Sequence, residues 1–280
     1  MTNTPHSVNF YGAQYGQFAS QLYAEIRSDA FGDDIGQNGW LTSDEQDTFI
    51  SWLALTRESR LLDVACGSGG PTLRITGRVG CHVHGIDVHE QAIVTARARS
   101  EAEGLTARAT FERVDATVAL PFGDSSFDAL ICVDAINHLA NRERVLGEWR
   151  RMLLPGGHLT FTDPVVVTGP LTNEEIAIRS SIGFFLFVPS GANERLLASA
   201  GFEVVAVVDR TDNMAHMAAR WRDARQRREG DLRRVEGDAT FDGQQRFLSV
   251  AAQLAAERRL SRLAFHCRAA RRAGPRPSAA

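Results

Sequence analysis

Leu61-Leu62-Asp63-Val64-Ala65-Cys66-Gly67-Ser68-Gly69-Gly70-Pro71 reads as an apolar strand running into a glycine turn, with proline at a first helical position. A turn so short of side chains lets a ligand lie against bare backbone, as at the first strand-to-helix turn of a doubly wound sheet. Outward from it, short apolar runs alternate with amphipathic stretches, the pattern of a parallel sheet covered by helices. Strands are expected at 61–65, 82–86, 110–114, 129–133, 158–162 and 203–208, and helices at 71–78, 89–103, 141–153 and 191–200. Asn141 can cap the third helix, whose face is Val145, Leu146, Trp149 and Met152-Leu153.

Acids recur at the strand ends. The second strand ends in Gly85-Ile86-Asp87, twenty residues after Gly67, where a carboxylate in this fold accepts from ribose hydroxyls. The third ends in Val114-Asp115-Ala116, a carboxylate beside a small residue, suited to an adenine ring. A nucleoside cofactor follows. A dinucleotide usually needs Gly-x-Gly-x-x-Gly, whereas Thr72 stands at the third glycine position, and Asp63 would repel a pyrophosphate. Asp63 suits the amino group of a methionine tail, which favours S-adenosylmethionine over NAD.

Composition excludes several classes. The chain has 280 residues, 44% hydrophobic and 23% charged, with 31 basic and 34 acidic side chains for a net charge of −3. That balance lacks the electrostatic footprint of sequence-independent nucleic-acid binding, so nucleic acid is not an expected partner. A chain this long buries about 75% of its unfolded surface without disulfides. Cys66, Cys81, Cys132 and Cys267 are far apart and form no zinc-ligand pattern, so no metal is expected. The longest apolar run, 182–189, is far below the roughly 18 residues of a membrane span, and no leader pattern is evident. A cytoplasmic protein with reduced thiols and no membrane partner is the reading, with the oligomeric state left open.

Three segments stand outside the alternation. Residues 1–58 form an N-terminal helical cap, with a capping box expected at Thr42 and Glu45 before a face of Phe49, Ile50 and Leu53. The insertions 164–190 and 210–258 are read as helical lids on the domain 59–267. The first has a polar helix near 173–181 and then Ile-Gly-Phe-Phe-Leu-Phe-Val-Pro; the second has two helices with faces Met214/Met217/Trp221 and Phe247/Val250/Leu254. Phe184, Phe185 and Phe187 are candidates for an apolar acceptor pocket or for core, and Asp163 for an acceptor contact. His216 reads as packing and Arg220 to Arg228 as a solvated face. The basic stretch 268–280 reads as a disordered tail.

LLDVACGSGG, HGIDVH, RVDATVALPFGDSSFDALICVDAINHL and LLPGGHLTFTD, in that order over about residues 40–210, resemble the class I S-adenosylmethionine-dependent methyltransferases. The resemblance includes the phosphoethanolamine N-methyltransferase-like and the ubiquinone/menaquinone methyltransferase-like groups of small-molecule enzymes. It implies an α/β, Rossmann-like seven-stranded sheet with helices on both faces, the last strand, about 260–267, inserting antiparallel beside the fifth. It places Gly67 and Gly69 against the methionine portion, Asp87 at the ribose, and Asp115 with Ala116 at the adenine. Ala65, Val88 and Val133 complete the strand-end set, Ala65 replacing a frequent glycine, a change that its small size makes mild. In similar enzymes the N-terminal region closes over the methionine end, which makes Tyr11 and Gln37 candidate contacts, with Tyr15 and the stretch 36–40 beside them.

The fourth strand ends in Cys132-Val133-Asp134-Ala135-Ile136-Asn137-His138-Leu139, at the edge where ligands of this fold bind. If helical there, Asp134 and His138 share a face at i and i+4, and the acid would fix the imidazole tautomer and raise its basicity. The pair is thus a candidate general base, and the segment resembles the catalytic one of phosphoethanolamine N-methyltransferases. The expected activity is methyl transfer from S-adenosylmethionine to a small organic acceptor, nitrogen or carbon ahead of oxygen. The alternatives are a cyclase-like or binding protein on the same fold, and more remotely an NAD-dependent dehydrogenase.

Overall fold

The structure is a computed structural model and describes residues 10–270. In chain order the elements are α1 (Phe10–Gly16), α2 (Gln21–Phe31), α3 (Ser43–Leu53), β1 (Arg60–Val64), α4 (Gly70–Val79), β2 (His82–Asp87), α5 (Glu90–Ala102), β3 (Ala109–Arg113) and β4 (Phe127–Cys132). A 3-10 turn (Ile136–His138) follows, then α6 (Arg142–Met152), β5 (Leu153–Val167), α7 (Asn173–Arg179), β6 (Val188–Pro189), α8 (Ala192–Ser199) and β7 (Phe202–Asp209). The chain continues through α9 (Thr211–Gln226), α10 (Glu229–Glu236), α11 (Asp238–Ala256) and β8 (Leu260–Ala269).

The sheet runs β3-β2-β1-β4-β5-β8-β7, with the two-residue β6 beside β5. The first five are parallel, and β8 lies antiparallel between β5 and β7, as the family resemblance implies. Strand alternation sends Leu62, Val64, Leu130 and Cys132 into a core with Leu146, Trp149 and Leu197 from α6 and α8. Leu61, Val83, Ala129 and Ile131 face the other way, onto Phe49 and Leu53 of α3 and Ile75 of α4.

A second core lies over the carboxyl edge of the sheet. It joins Phe10, Tyr23, Ile26 and Trp40 to Ile182, Trp221, Phe241 and Phe247, so residues from the N-terminal segment and both insertions pack as one helical layer. The stripe Met214, Met217 and Trp221 is buried there, and His216 is exposed. The region 210–258 holds three helices rather than the expected two, because Glu229–Glu236 forms a separate one. Its arginines are more engaged than a solvated face: Arg225 is wholly buried against Glu236, while Arg227 and Arg228 pair with Asp29 of α2.

Two local expectations are corrected. Thr42 caps α3 by accepting from the Glu45 N–H at 3.3 Å, but the Glu45 side chain does not return to complete the box, being bound to Arg262 instead. The reciprocal box forms at α7, between Thr172 and Glu175. Of the stretch 268–280, Arg268 and Ala269 extend β8, and residues 271–280 lie outside the described residues. Among the described residues no helix is long and apolar enough to cross a membrane.

Gly69 turns out to serve packing. Its φ is +76°, and a Cβ there would stand 2.8 Å from the Ala96 Cβ and 3.0 Å from the Phe111 ring, on the α5/β3 side of the turn. Gly69→Ala should therefore lower the unfolding free energy by about 1–3 kcal/mol through overpacking. Urea denaturation measures this, and an unchanged midpoint would refute the packing account.

Candidate active site

The loops after β1, β2, β3 and β4 converge with the N-terminal segment around a cavity of about 370 Å³. Its wall includes Asp63, Ala65, Gly67, Asp87, Val88, Asp115, Ala116, Val133, Tyr11 and Gln37, and also Asp134 and His138. Gly69 is the one candidate cofactor residue that does not reach the wall, for the packing reason given above.

The turn after β1 is built for close approach. Ala65 adopts φ +60°, so the property that glycine supplies at this position is left-handed backbone, and alanine carries a strain of about 1–2 kcal/mol. The Cys66 N–H bonds to the Ile86 carbonyl at 3.0 Å and ties the turn to β2. Gly70 has no room for a side chain, because a Cβ would lie 2.1 Å from the Ile35 carbonyl oxygen, where the N-terminal segment crosses the start of α4.

Asp87 is buried, and its carboxylate accepts from the Gly67 N–H at 3.0 Å and the His89 N–H at 2.9 Å, one on each oxygen. Burial raises its pKa, and these two backbone donors oppose the rise. Each oxygen keeps capacity for a second donor, such as a ribose hydroxyl. Asp115 is exposed and accepts from the Thr117 hydroxyl and N–H on one oxygen, which holds its pKa low and leaves the other oxygen available.

Asp63 is buried and accepts from the Thr72 hydroxyl at 2.5 Å. Burial pushes its pKa up to about 7, the Thr72 bond opposes this, and the Asp87 charge adds to it. Asn38 Oδ1 and Ser68 Oγ are buried without a partner among the described residues, and both residues line the cavity. A carboxylate with an unpaired amide oxygen and an unpaired hydroxyl suits an amino-acid tail that brings both ammonium and carboxylate. Asn38 and Ser68 were not singled out from the sequence, although Asn38 lies in the stretch 36–40. Gln37 is on the wall, but its amide is occupied, accepting from Ile35 N–H and donating to the Asp33 carbonyl.

The expected Asp134/His138 pair does not form. Asp134 sits at φ +53° and only Ile136–His138 turns, as a 3-10 helix, so the two side chains never share an α-helical face. Asp134 instead accepts from Arg262 Nε at 2.6 Å and Nη2 at 3.2 Å, from the Thr162 hydroxyl at 2.7 Å and from the Trp40 N–H at 2.8 Å. Arg262 also donates through Nη1 to both oxygens of Glu45, at 2.6 and 2.9 Å. All three side chains are buried; burial opposes the Arg262 charge, and the two carboxylates more than restore it. A lone arginine in the apolar strand 260–267 was the sequence signal for this cluster.

His138 turns to other partners. Its Nδ1 lies 2.8 Å from the Phe184 carbonyl, which can only accept, so Nδ1 carries the proton and Nε2 accepts from the Tyr11 hydroxyl at 2.7 Å. Burial lowers its pKa to about 4, the Phe184 bond opposing and the Arg179 charge reinforcing the shift. Its basicity is thus lowered, the reverse of what an adjacent carboxylate would give. Asp163 likewise misses the cavity: it is wholly buried, bonded to Arg142 and Asn193. Phe184 lines the cavity, whereas Phe185 packs edge-on to His138 in the helical layer.

Residues 62–161 match the family described as "Methyltransferase domain". Methyltransferase GfsG of Streptomyces halstedii is 32% identical over 54% of this chain and 55% of its own length. The 27-O-demethylrifamycin SV methyltransferase of Amycolatopsis mediterranei is 29% identical over 76% of this chain and 72% of its own. The chain thus spans about half of one relative and nearly three-quarters of the other. In fold it resembles phosphoethanolamine N-methyltransferase 2 of Haemonchus contortus, solved with S-adenosylhomocysteine, at a TM-score of 0.76 and 19% identity, covering 95% of this chain and 61% of that one. Residues 62–161 thus carry a methyltransferase domain, and the fold around them is one shared with solved methyltransferases.

Three outcomes follow from the buried charges. An ammonium group set against Asp63 favours its ionised form, so affinity for S-adenosylhomocysteine should rise by up to about tenfold per pH unit towards pH 7, then level. The cofactor-free protein should lose stability over the same rise, because the fold holds this proton above the pH at which the unfolded chain releases it. Calorimetric titration across pH tests this, and Asp63→Asn should flatten the profile. Arg262→Met leaves Asp134 without a counter-charge and Glu45 with only Arg210, at 3.5 Å, and should cost about 3–5 kcal/mol in denaturant unfolding; a loss below about 1 kcal/mol, the worth of an exposed pair, would refute the central place given to Arg262.

Proposed function

We propose that this protein methylates a hydroxyl group of a small organic acceptor, with His138 accepting the proton that the hydroxyl must shed. The observation that carries this reading is the imidazole at the cavity wall, neutral, with Nδ1–H fixed on the Phe184 carbonyl and Nε2 directed as an acceptor. S-adenosylmethionine supplies a methyl group already activated on a sulfonium, so the chain's own residues need only position the acceptor, exclude water and take a proton. Tyr11 holds Nε2 until an acceptor hydroxyl replaces its O–H. The helical layer over the strand ends, made from residues within 10–40, 164–190 and 210–258, serves as the lid that keeps water out.

Charge favours oxygen over an ammonium nitrogen. The pocket would already hold the cofactor's sulfonium, and an ammonium acceptor would add a second cation in a low-dielectric space. A relative that covers three-quarters of this chain is named for O-methylation, which supports the same choice.

The test is a mass-resolved methyl-transfer assay with S-adenosylmethionine and separate pools of phenols and alcohols, amines, indoles and other carbon nucleophiles. The hydroxyl pool should gain a methyl group, and His138→Ala should lower turnover by about 10²–10⁴ while still binding cofactor. The acid limb of turnover against pH should lie near the His138 value of about 4, below the ordinary histidine range. Methylation confined to amines or carbon would overturn the assignment to oxygen, and full activity of the variant would remove His138 from the reaction. Cofactor binding without transfer to any pool would favour the non-transferring alternative.

A further inference from the structure

We propose that a small cavity beside the main one is the seat of a carboxylate group on the acceptor, held by Arg179 and Asn137. This deepens the methyl-transfer reading and rests on it for the acceptor, though not for the binding of the anion itself.

Among the described residues, buried arginines come with acids. Arg27 pairs with Asp34, Arg142 with Asp163, Arg225 with Glu236, and Arg262 with Asp134 and Glu45. Arg179, at the end of α7 and only 1% exposed, is the exception: Nε and Nη1 have no hydrogen-bond partner among the described residues, and no carboxylate pairs with it. Its Cζ lies 4.4 Å from the Phe247 ring centroid and 5.4 Å from that of Phe185. Such stacking occupies the faces of the guanidinium and leaves its in-plane N–H donors. A buried charge with unused donors is costly and rare unless something arrives to use them.

Asn137 supplies the second observation. It is wholly buried in the 3-10 turn, with both Oδ1 and Nδ2 unpaired. Arg179 and Asn137 line the same cavity of about 30 Å³. At about 10–15 Å³ per water, that volume takes two oxygens, the size of a carboxylate and too little for a phosphate. Asp134 borders the cavity as well, but each of its oxygens is engaged by Arg262, so its charge is offset. Tyr11, His138 and Ile182 belong to the walls of both cavities. A carboxylate seated on Arg179 therefore leaves the rest of its molecule beside His138, where the reacting hydroxyl is needed. The acceptor class is a hydroxylated carboxylic acid.

The experiment titrates sodium acetate, acetamide and inorganic phosphate into the full-length protein at constant ionic strength, with and without saturating S-adenosylhomocysteine, following tryptophan fluorescence. Trp40 and Trp221 border the small cavity and report on its contents. Acetate should bind saturably and at least about tenfold more tightly than acetamide, the margin of a charge-assisted bond. Arg179→Gln should abolish the acetate response while affinity for S-adenosylhomocysteine stays within about threefold, since Arg179 is not on the wall of the main cavity. If that variant does not fold, Arg179→Lys and Asn137→Ala carry the test, each expected to weaken acetate. Equal binding of acetamide, tighter binding of phosphate, or wild-type acetate affinity in the variants would overturn the proposal. Failure of S-adenosylhomocysteine to bind would strike the methyl-transfer reading instead, and the acetate arm run without it would still decide the subsite.

Discussion

The buried guanidinium of Arg262 is the constraint on which the arrangement of the site depends. It comes from β8, yet its partners belong to α3 and to the turn after β4, so one side chain joins the N-terminal segment, the catalytic edge and the last strand. Asp134 in turn holds the Trp40 backbone, and Trp40 belongs to the helical layer's core. Left-handed backbone at Asp134 is tolerated because four donors fix its carboxylate, and the resulting turn aims His138 away from Asp134 and towards Tyr11. The acid therefore shapes the site without touching the imidazole.

The sheet and the cofactor edge were legible because their signals are local. Two-residue alternation, the glycine turn at 67–70 and the acids at strand ends each act within a few positions of where they stand. The family resemblance added what local pattern could not, the antiparallel insertion of β8. The site's second half was less legible, for reasons that differ by residue. Arg262 meets its acids 128 and 217 positions away along the chain, beyond any periodicity. The i, i+4 reading of Asp134 and His138 assumed an α-helix, and a left-handed residue followed by a 3-10 turn defeats that assumption. Gly69 was read through the family as a ligand contact, and the packing constraint at the same position, where a Cβ would meet Ala96 and Phe111, had no local signal. Arg179 ended a short polar helix and gave no sign that Trp40 and Phe247, from distant segments, would join Phe185 around it.

Burial is used in opposite directions in two adjoining cavities. At the end of β1 it raises the Asp63 pKa to about 7, so the carboxylate charges fully only when a cation comes to meet it. Beyond the turn after β4 it keeps His138 uncharged and lowers the Arg179 pKa to about 10, still well above neutral pH. One side thus awaits a positive charge and the other a negative one, a polarity that would orient a ligand pair before any contact is made.

The position of β8 between β5 and β7 also bears on how the chain is made. Until β8 has been made, β7 has no neighbour, β5 has an open edge, and Asp134 lacks its counter-charge. Everything from β1 to β5 can pair as it emerges, but the roof over the cavity cannot be anchored. The protein therefore acquires its sheet progressively and its pocket all at once, when β8 closes the edge and brings Arg262 to the interior acids together.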